Sequence, residues 1–472
     1  MTIMKKPALL VVALGLCMTS LVQASTAPLP KDLPAYGPDK AVPVPDIAQR
    51  TLANGLTVWV VSRNGLPKVD MTLAVLGGTA ADDPSTPALS SVMTGLLNAG
   101  TTSLDAKQIA ESLQAMGGDY DATARPDAIV VSATALSAYT AELLHLVADT
   151  ALHPSFPAAE VALQKANSLQ VLKVREGDPA WQAQRAFDAA TFGTHAYARS
   201  SLTEASIAAV TPETMRQLHA ARFRPDRSLL VIIGRISTKD AFRIAEQQFG
   251  SWKAEGKAVA DMPQAPRDAS PQRLLVTREG SVQTNIRYGR PALAASDPDF
   301  VPLNVANTIL GGGFTSRLTQ DIREDKGYSY SPRSMINANR AGGSSLARVD
   351  VRNEVTGATL TELNKLYESM ASQRPSDEEL IGAKRLAAGT YLLRNQIQAS
   401  LALTLANYWA QGLPPAFFSN YVTETNQVNG DQVQAMGRKY FAPKDQSIIL
   451  VGDPKAIEAQ LKPFGEFKSF KP

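Results

Sequence analysis

The apolar residues of this chain fall into two patterns, short unbroken aliphatic runs and long stretches rich in Ala and Leu. Leu229-Leu230-Val231-Ile232-Ile233 and Ile448-Ile449-Leu450-Val451 are the clearest runs, and such a segment without a polar position reads as a strand buried in the middle of a sheet. Both lie inside a longer repeat. Phe223-Arg224-Pro225-Asp226 leads into the first run and Phe441-Ala442-Pro443-Lys444 into the second, 218 positions later, and the two copies end on Gly234 and Gly452. A helical segment precedes each copy, beginning near Thr211 and near Asn429, and another follows, over 238–249 and 455–461. A duplication is the economical reading, with two similar domains of about 200 residues over 47–252 and 273–472. The stretch 253–272 between them is rich in Ala, Pro, Asp and Lys, lacks apolar periodicity and reads as a linker.

Within the halves, β-rich stretches alternate with helical ones such as 137–152 and 376–393. Residues 51–61 read as strand, Asn54-Gly55 turn, strand. Residues 118–135 read as a hairpin turned at Arg125-Pro126-Asp127. The class is α+β, each half a mixed, mostly antiparallel sheet with helices packed on one face.

The opening residues change the picture of where the chain works. Lys5 and Lys6 precede an apolar run from Pro7 to Leu16 and a small-residue exit at Val22-Gln23-Ala24, the layout of a secretory signal peptide over 1–24. The run is shorter than the roughly 20 apolar residues of a spanning helix. A proline-dense extended leader over 25–46 follows. Cys17 is the chain's one cysteine, so after signal removal neither disulfides nor thiolate metal sites are available. Removing two of 47 basic residues leaves 45 against 44 acidic ones, a balance that argues against nucleic acid or anionic lipid as a partner.

The candidate chemistry begins in the second half. Gly311-Gly312-Gly313-Phe314-Thr315-Ser316-Arg317-Leu318 is followed by Ile322-Arg323-Glu324-Asp325-Lys326-Gly327-Tyr328-Ser329-Tyr330. This closely resembles the C-terminal signature of the M16 (pitrilysin- and insulinase-like) peptidases, in which a Gly-rich turn opens a helix bearing an Arg and a Tyr follows seven positions later, here Arg323 and Tyr330. Gly77-Gly78-Thr79, Gly100-Thr101 and Phe192-Gly193-Thr194-His195-Ala196-Tyr197 extend the resemblance over nearly the whole chain after residue 46. It implies two homologous domains of the LuxS/MPP-like type. It also implies a zinc ion held by His-x-x-Glu-His and a distant Glu, with the motif's Glu as general base.

Registered on the family pattern, those positions carry other residues. The helix expected from Pro87 into Gly100-Thr101 places Ser91 and Gly95 at the two His ligands and Thr94 at the base, and registration on Asp178-Pro179 places Val171 at the distal Glu. The chain's four histidines are His145, His153, His195 and His219, no two of them a helical turn apart. His145, in Leu143-Leu144-His145-Leu146-Val147, reads as a core or half-buried imidazole. His153 before Pro154 reads as a helix end, His195 as a structural loop residue, and His219 as lying on a charged helix.

The resemblance assigns Arg323 and Tyr330 to substrate binding, as donors to a peptide's carbonyls. It also makes 118–123 the edge strand to which an extended peptide adds. The expectation is a chain with no cofactor and no catalysis of its own. It would be the peptide-binding subunit of a periplasmic heterodimer whose partner, an M16 subunit carrying His-x-x-Glu-His, holds the zinc. A stand-alone peptide-binding or holdase protein is the alternative. An active zinc peptidase is the reading that fold analogy alone would favour.

Overall fold

The computed structural model describes residues 44–268 and 270–471. The signal expected over 1–24, and the leader up to residue 43, lie outside the described residues. The two aliphatic runs become interior strands of two six-stranded sheets. The first sheet contains β1 (Ala48–Thr51), β2 (Thr57–Ser62), β3 (Lys68–Leu76), β4 (Asp119–Ala124), β5 (Ala128–Leu136) and β6 (Ser228–Gly234), in the order β1-β2-β6-β3-β5-β4. The second contains β7 (Arg273–Thr277), β8 (Gln283–Ala292), β9 (Arg333–Asn339), β10 (Gly342–Arg352), β11 (Ser447–Gly452) and β12 (Lys468–Ser469), in the order β12-β7-β11-β8-β10-β9. Five strands of each sheet thus follow one another identically, as a duplication requires. The pairings β2–β6, β7–β11 and β7–β12 are parallel and the others antiparallel. Between the sheets, 253–268 and 270–272 form no helix or strand.

The Asn54-Gly55 turn is confirmed, with Gly55 at φ 94°, a left-handed conformation that glycine adopts without strain. Asn54 Nδ2 donates to the carbonyls of Phe249 (2.7 Å) and Trp252 (3.0 Å), tying the turn to the end of the helix Thr238–Phe249.

The helices of each half cover one sheet face, as expected. On that face Leu230 and Ile232 join Val58, Met71 and Val131 in the first core, and Ile448 and Leu450 join Ile286, Tyr288 and Val349 in the second. The opposite faces are also buried, because each half lends a helix to the other. Leu401, Leu405 and Ala406, on the helix Gln398–Ala410 of the second half, pack with Phe418 on Trp59, Val61, Leu229, Val231 and Ile233 of the first sheet. Ala183, Ala186 and Phe187, on the helix Pro179–Phe192 of the first half, pack on Leu274, Val276, Leu346, Ile449 and Val451 of the second sheet. Strands β6 and β11 are therefore apolar at every position because both of their faces are core. Residues 45–472 accordingly form one compact unit. Among the described residues no helix is long and apolar enough to cross a membrane.

A polar knot joins the hairpin tips of the two halves. The Tyr197 hydroxyl donates to Asp127 Oδ1, Asp127 Oδ2 accepts from the Arg340 N–H (2.8 Å), and the Ala341 N–H donates to the Tyr197 oxygen (3.1 Å). On the lent helix Pro179–Phe192, Asp188 accepts from Gln184 Nε2 (2.7 Å) and Ser200 Oγ (3.4 Å). Burial pushes its carboxyl up to about 7 against these bonds.

Two outcomes follow from this packing. Phe187→Ala is expected to destabilise the chain by about 3–5 kcal/mol, read as a shift in denaturant midpoint with one transition for both halves. For Asp188 the folded pKa lies above the unfolded value of about 3.9, so the stability tied to its neutral form is complete below about pH 4 and lost as pH rises to about 7. Asp188→Asn should flatten the pH dependence of the unfolding midpoint across that window.

Candidate functional site

The segment expected to carry the metal motif is helical only over Leu89–Thr94 and continues in turns to residue 98, shorter than the helix expected from Pro87 to Gly100-Thr101. Its start is clamped by buried Asp82, which accepts from the Ser90 N–H (2.9 Å) and hydroxyl (2.7 Å) and pairs with buried Arg222 at 3.2 Å. The helix lies against the edge strand β4.

Ser91 and Val171 line one cleft of about 300 Å³, between this short helix and the long helix Ala158–Glu176. Gly95 points to the same long helix, because a Cβ at residue 95 would lie 3.0 Å from Gln164 Nε2. Thr94 is not brought into the cleft. It is buried, and its hydroxyl donates to the Ser91 carbonyl at 3.0 Å. Gln164 is the residue that sequence reasoning missed. Its signal was its position, seven residues before Val171 and so on the same helical face. Asn167, Ser168, Arg175 and Ser200 also line the cleft.

This donor set does not fit zinc. Structural and catalytic zinc sites are built from imidazole, thiolate and carboxylate groups, whereas the cleft offers neutral hydroxyls and amides together with the Arg175 cation. Among the described residues no group of three His, Cys, Asp or Glu is placed to hold a metal ion. The histidines have other work. His219 is stacked on Phe223 (4.3 Å between centroids) with Nε2 2.8 Å from the Ala151 carbonyl, and burial lowers its pKa to about 4. It is half-buried, whereas His145 turns outward, its Nδ1 3.0 Å from Gln248 Oε1. His153 follows the helix Thr140–Leu152 as its C-cap, and His195 bridges the Tyr197 N–H and the Pro263 carbonyl.

Arg323 and Tyr330 are brought together, lining a second cleft of about 450 Å³ with Gln283, Asp350 and Arg352. The Gly-rich turn is held by Arg317, whose Nε and Nη2 meet the Glu379 carboxylate at 2.8 and 3.1 Å. The segment Thr319–Asp325 is wound more widely than an α-helix, the Lys326 N–H reaching the Asp321 carbonyl five residues back at 3.0 Å. Such widened turns are frequent at functional sites. Gly327, at φ 61°, turns the chain out of this helix, and the Ser329 hydroxyl pins the next residues to the Asp350 carbonyl (2.8 Å). Tyr330 is left 83% exposed while Tyr328 packs against the core. The Arg323 guanidinium sits over the Tyr330 ring (4.9 Å) and the Phe314 ring (5.5 Å), with Nε 3.2 Å from Glu324 Oε1. Phe314, 75% exposed, completes an aromatic pair that holds the cation from two sides.

The duplicated α+β chain thus has a cleft without zinc donors in its first half and an accessible arginine–tyrosine pair in its second. Residues 58–205 match the family model described as Insulinase (Peptidase family M16), and residues 209–386 match the one described as Peptidase M16 inactive domain. An uncharacterized zinc protease of Bacillus subtilis, YmxG, is 25% identical over 415 residues, covering 86% of this chain and 98% of that protein. A non-peptidase homolog of Helicobacter pylori, also called YmxG, is 21% identical over 392 residues, covering 83% of this chain and 90% of the other. The crystal structure of a peptidase M16 inactive domain from Pseudomonas fluorescens superposes with a TM-score of 0.81 at 25% identity, covering 86% of this chain and 98% of that one. The chain belongs to the M16 peptidase family, and its second half matches the model described as the inactive domain.

Because positions 91 and 171 line one cleft and a side chain at 95 would meet Gln164 of the same wall, placing donors at the three positions should create a metal site. A Ser91→His, Gly95→His, Val171→Glu variant, with Gln164→Ala to clear the space, is expected to retain stoichiometric zinc by elemental analysis after gel filtration. Failure of a folded variant to hold zinc would show that these positions are not arranged as described.

Proposed function

We propose that this chain is the non-catalytic, peptide-binding subunit of an exported M16 zinc peptidase heterodimer, contributing Arg323 and Tyr330 to substrate held at the zinc of a partner subunit that carries His-x-x-Glu-His. The observation that carries this reading is the contrast between the two clefts. One has no zinc donors, and the other keeps its arginine and tyrosine accessible in a single depression. The guanidinium, always charged, offers a planar fork of donors, and the phenol offers one more at the end of a rigid ring. Both suit peptide carbonyls, and they suit better the oxyanion that forms when zinc-bound water attacks one.

The open edge of the first sheet supports the same reading. Strand β4 ends the order β1-β2-β6-β3-β5-β4, so its outer backbone groups are available to an extended peptide. Its exposed positions carry Asp119, Asp121 and Thr123. Charges on an edge discourage indiscriminate sheet growth. The chain requires no cofactor in this role, and export to the periplasm agrees with the order of charged, apolar and small residues at its start.

The test is co-expression with a zinc-bearing homologue from the same genome, followed by a peptide-cleavage assay. The mixture should cleave where neither chain alone does. Arg323→Ala with Tyr330→Phe should lower kcat/KM by about 100-fold or more, the scale seen when oxyanion donors are removed. Full activity of the double variant would refute the role. A lone monomer or homodimer that retains peptide without any enzyme partner would favour a stand-alone binding protein instead.

A further inference from the structure

A third depression, of about 330 Å³ and sharing no lining residue with the two clefts, lies where the β4–β5 turn of the first half meets the helices Asp377–Gln396 and Gln398–Ala410 of the second. Two guanidinium groups, of Arg125 and Arg394, stand at it. Among the described residues neither side chain makes a hydrogen bond or ion pair. Asp121, whose charge reaches Arg125, forms no ion pair with it. Asp127, in the same wall, accepts from the Tyr197 hydroxyl and the Arg340 N–H and forms no ion pair with either arginine.

Asn395, 6% exposed, lines the same depression. Its Nδ2 donates to the Tyr391 carbonyl at 2.8 Å, but its buried Oδ1 has no hydrogen-bond partner. Buried acceptors are normally satisfied, and this one belongs to a residue that lines the depression. The rest of the wall mixes Phe300, Ile336 and Tyr408 with the polar side chains of Asn339, Thr404, Asn407 and Gln411.

We propose that this cavity is a binding site for the C-terminal residue of a peptide. The α-carboxylate lies between Arg125 and Arg394, the adjacent backbone N–H donates to Asn395 Oδ1, and an apolar side chain lies on Phe300, Ile336 and Tyr408. Charge-assisted bonds from two guanidinium groups are the strong term. Phosphate would satisfy the arginines, but it offers neither the N–H for Asn395 nor an apolar body for the opposite wall. The volume is near the lower end of ligand pockets, roughly 300–1,000 Å³, which limits the occupant to one or two residues. The site belongs to this chain alone and does not depend on the zinc-partner reading.

Calorimetry with the purified full chain and N-acetyl-Ala-Phe, as the free acid and as the C-terminal amide, tests this. The acid should bind, and the amide should bind more weakly by on the order of ten-fold or more, the factor expected for losing hydrogen bonds to a charged group. Arg125→Gln with Arg394→Gln should lower affinity for the acid by a similar factor without moving Tm, since both side chains are exposed. Either single variant serves if the double one does not fold. Acid and amide binding equally, neither binding to the folded wild-type chain, or the arginine variants binding as well as wild type would overturn the proposal. Displacement of the acid by inorganic phosphate or acetate at the same concentration would overturn it too, by showing a site for anions in general.

Discussion

The structure depends on an exchange of helices between its two halves. A sheet of this kind has two apolar faces, and each half has helices enough to cover only one of them. The second face of each sheet is covered by the partner half, through Leu401 and Leu405 on one side and Phe187 on the other. The lent helices Pro179–Phe192 and Gln398–Ala410 occupy corresponding places in the duplicated pattern, so the arrangement is reciprocal. Neither half could expose its lent-to face without leaving a row of Val, Ile and Leu in water, at about 25 cal/mol for each Å². The sites inherit this constraint. Trp181, in the first turn of one lent helix, closes the emptied metal cleft, and Asn407 and Ala410, on the other, wall the depression between the halves.

A protein can lose a metal site in two ways, by losing the scaffold or by losing the donors. Here the scaffold persists. Ser91 and Val171 line one cleft between a short helix and a long one, and Gly95 is directed at Gln164 in its wall. The donors are gone, and Gln164 and Arg175 occupy the space with an amide and a positive charge, which would repel a divalent cation. The Arg323–Tyr330 cleft has kept its parts, with the cation held between two exposed rings. A cleft without zinc donors in one half beside an accessible arginine–tyrosine pair in the other is the contrast on which the proposed binding role rests.

Much of the fold was legible in the sequence because β6 and β11 must be apolar throughout, and two such runs with matching flanks announce a duplication. The lent helices were not legible. An Ala-rich amphipathic segment shows that it has an apolar face but not which sheet the face will meet. The metal helix was read too long because Leu96 and Leu97 continue its apolar pattern, yet they are buried from turns rather than from helix. The apolar neighbours of His145 suggest a core or half-buried imidazole, whereas it is exposed. The helical period instead turns Leu143, Leu144, Leu146 and Val147 inward and His145 outward. Arg323 and Tyr330 could be found by spacing, whereas Phe314 joins them only through the fold. The three positions of the emptied site could be registered on a motif, but Gln164 filling the space beside Gly95 is a fact of packing.

The central claim, that the first half no longer binds or activates a metal, is tested most directly by equilibrating the purified wild-type chain with zinc, removing the excess, and measuring bound zinc by elemental analysis alongside peptide hydrolysis. The account expects neither retained zinc nor turnover. One zinc per chain, accompanied by hydrolysis that a chelator abolishes, would contradict it.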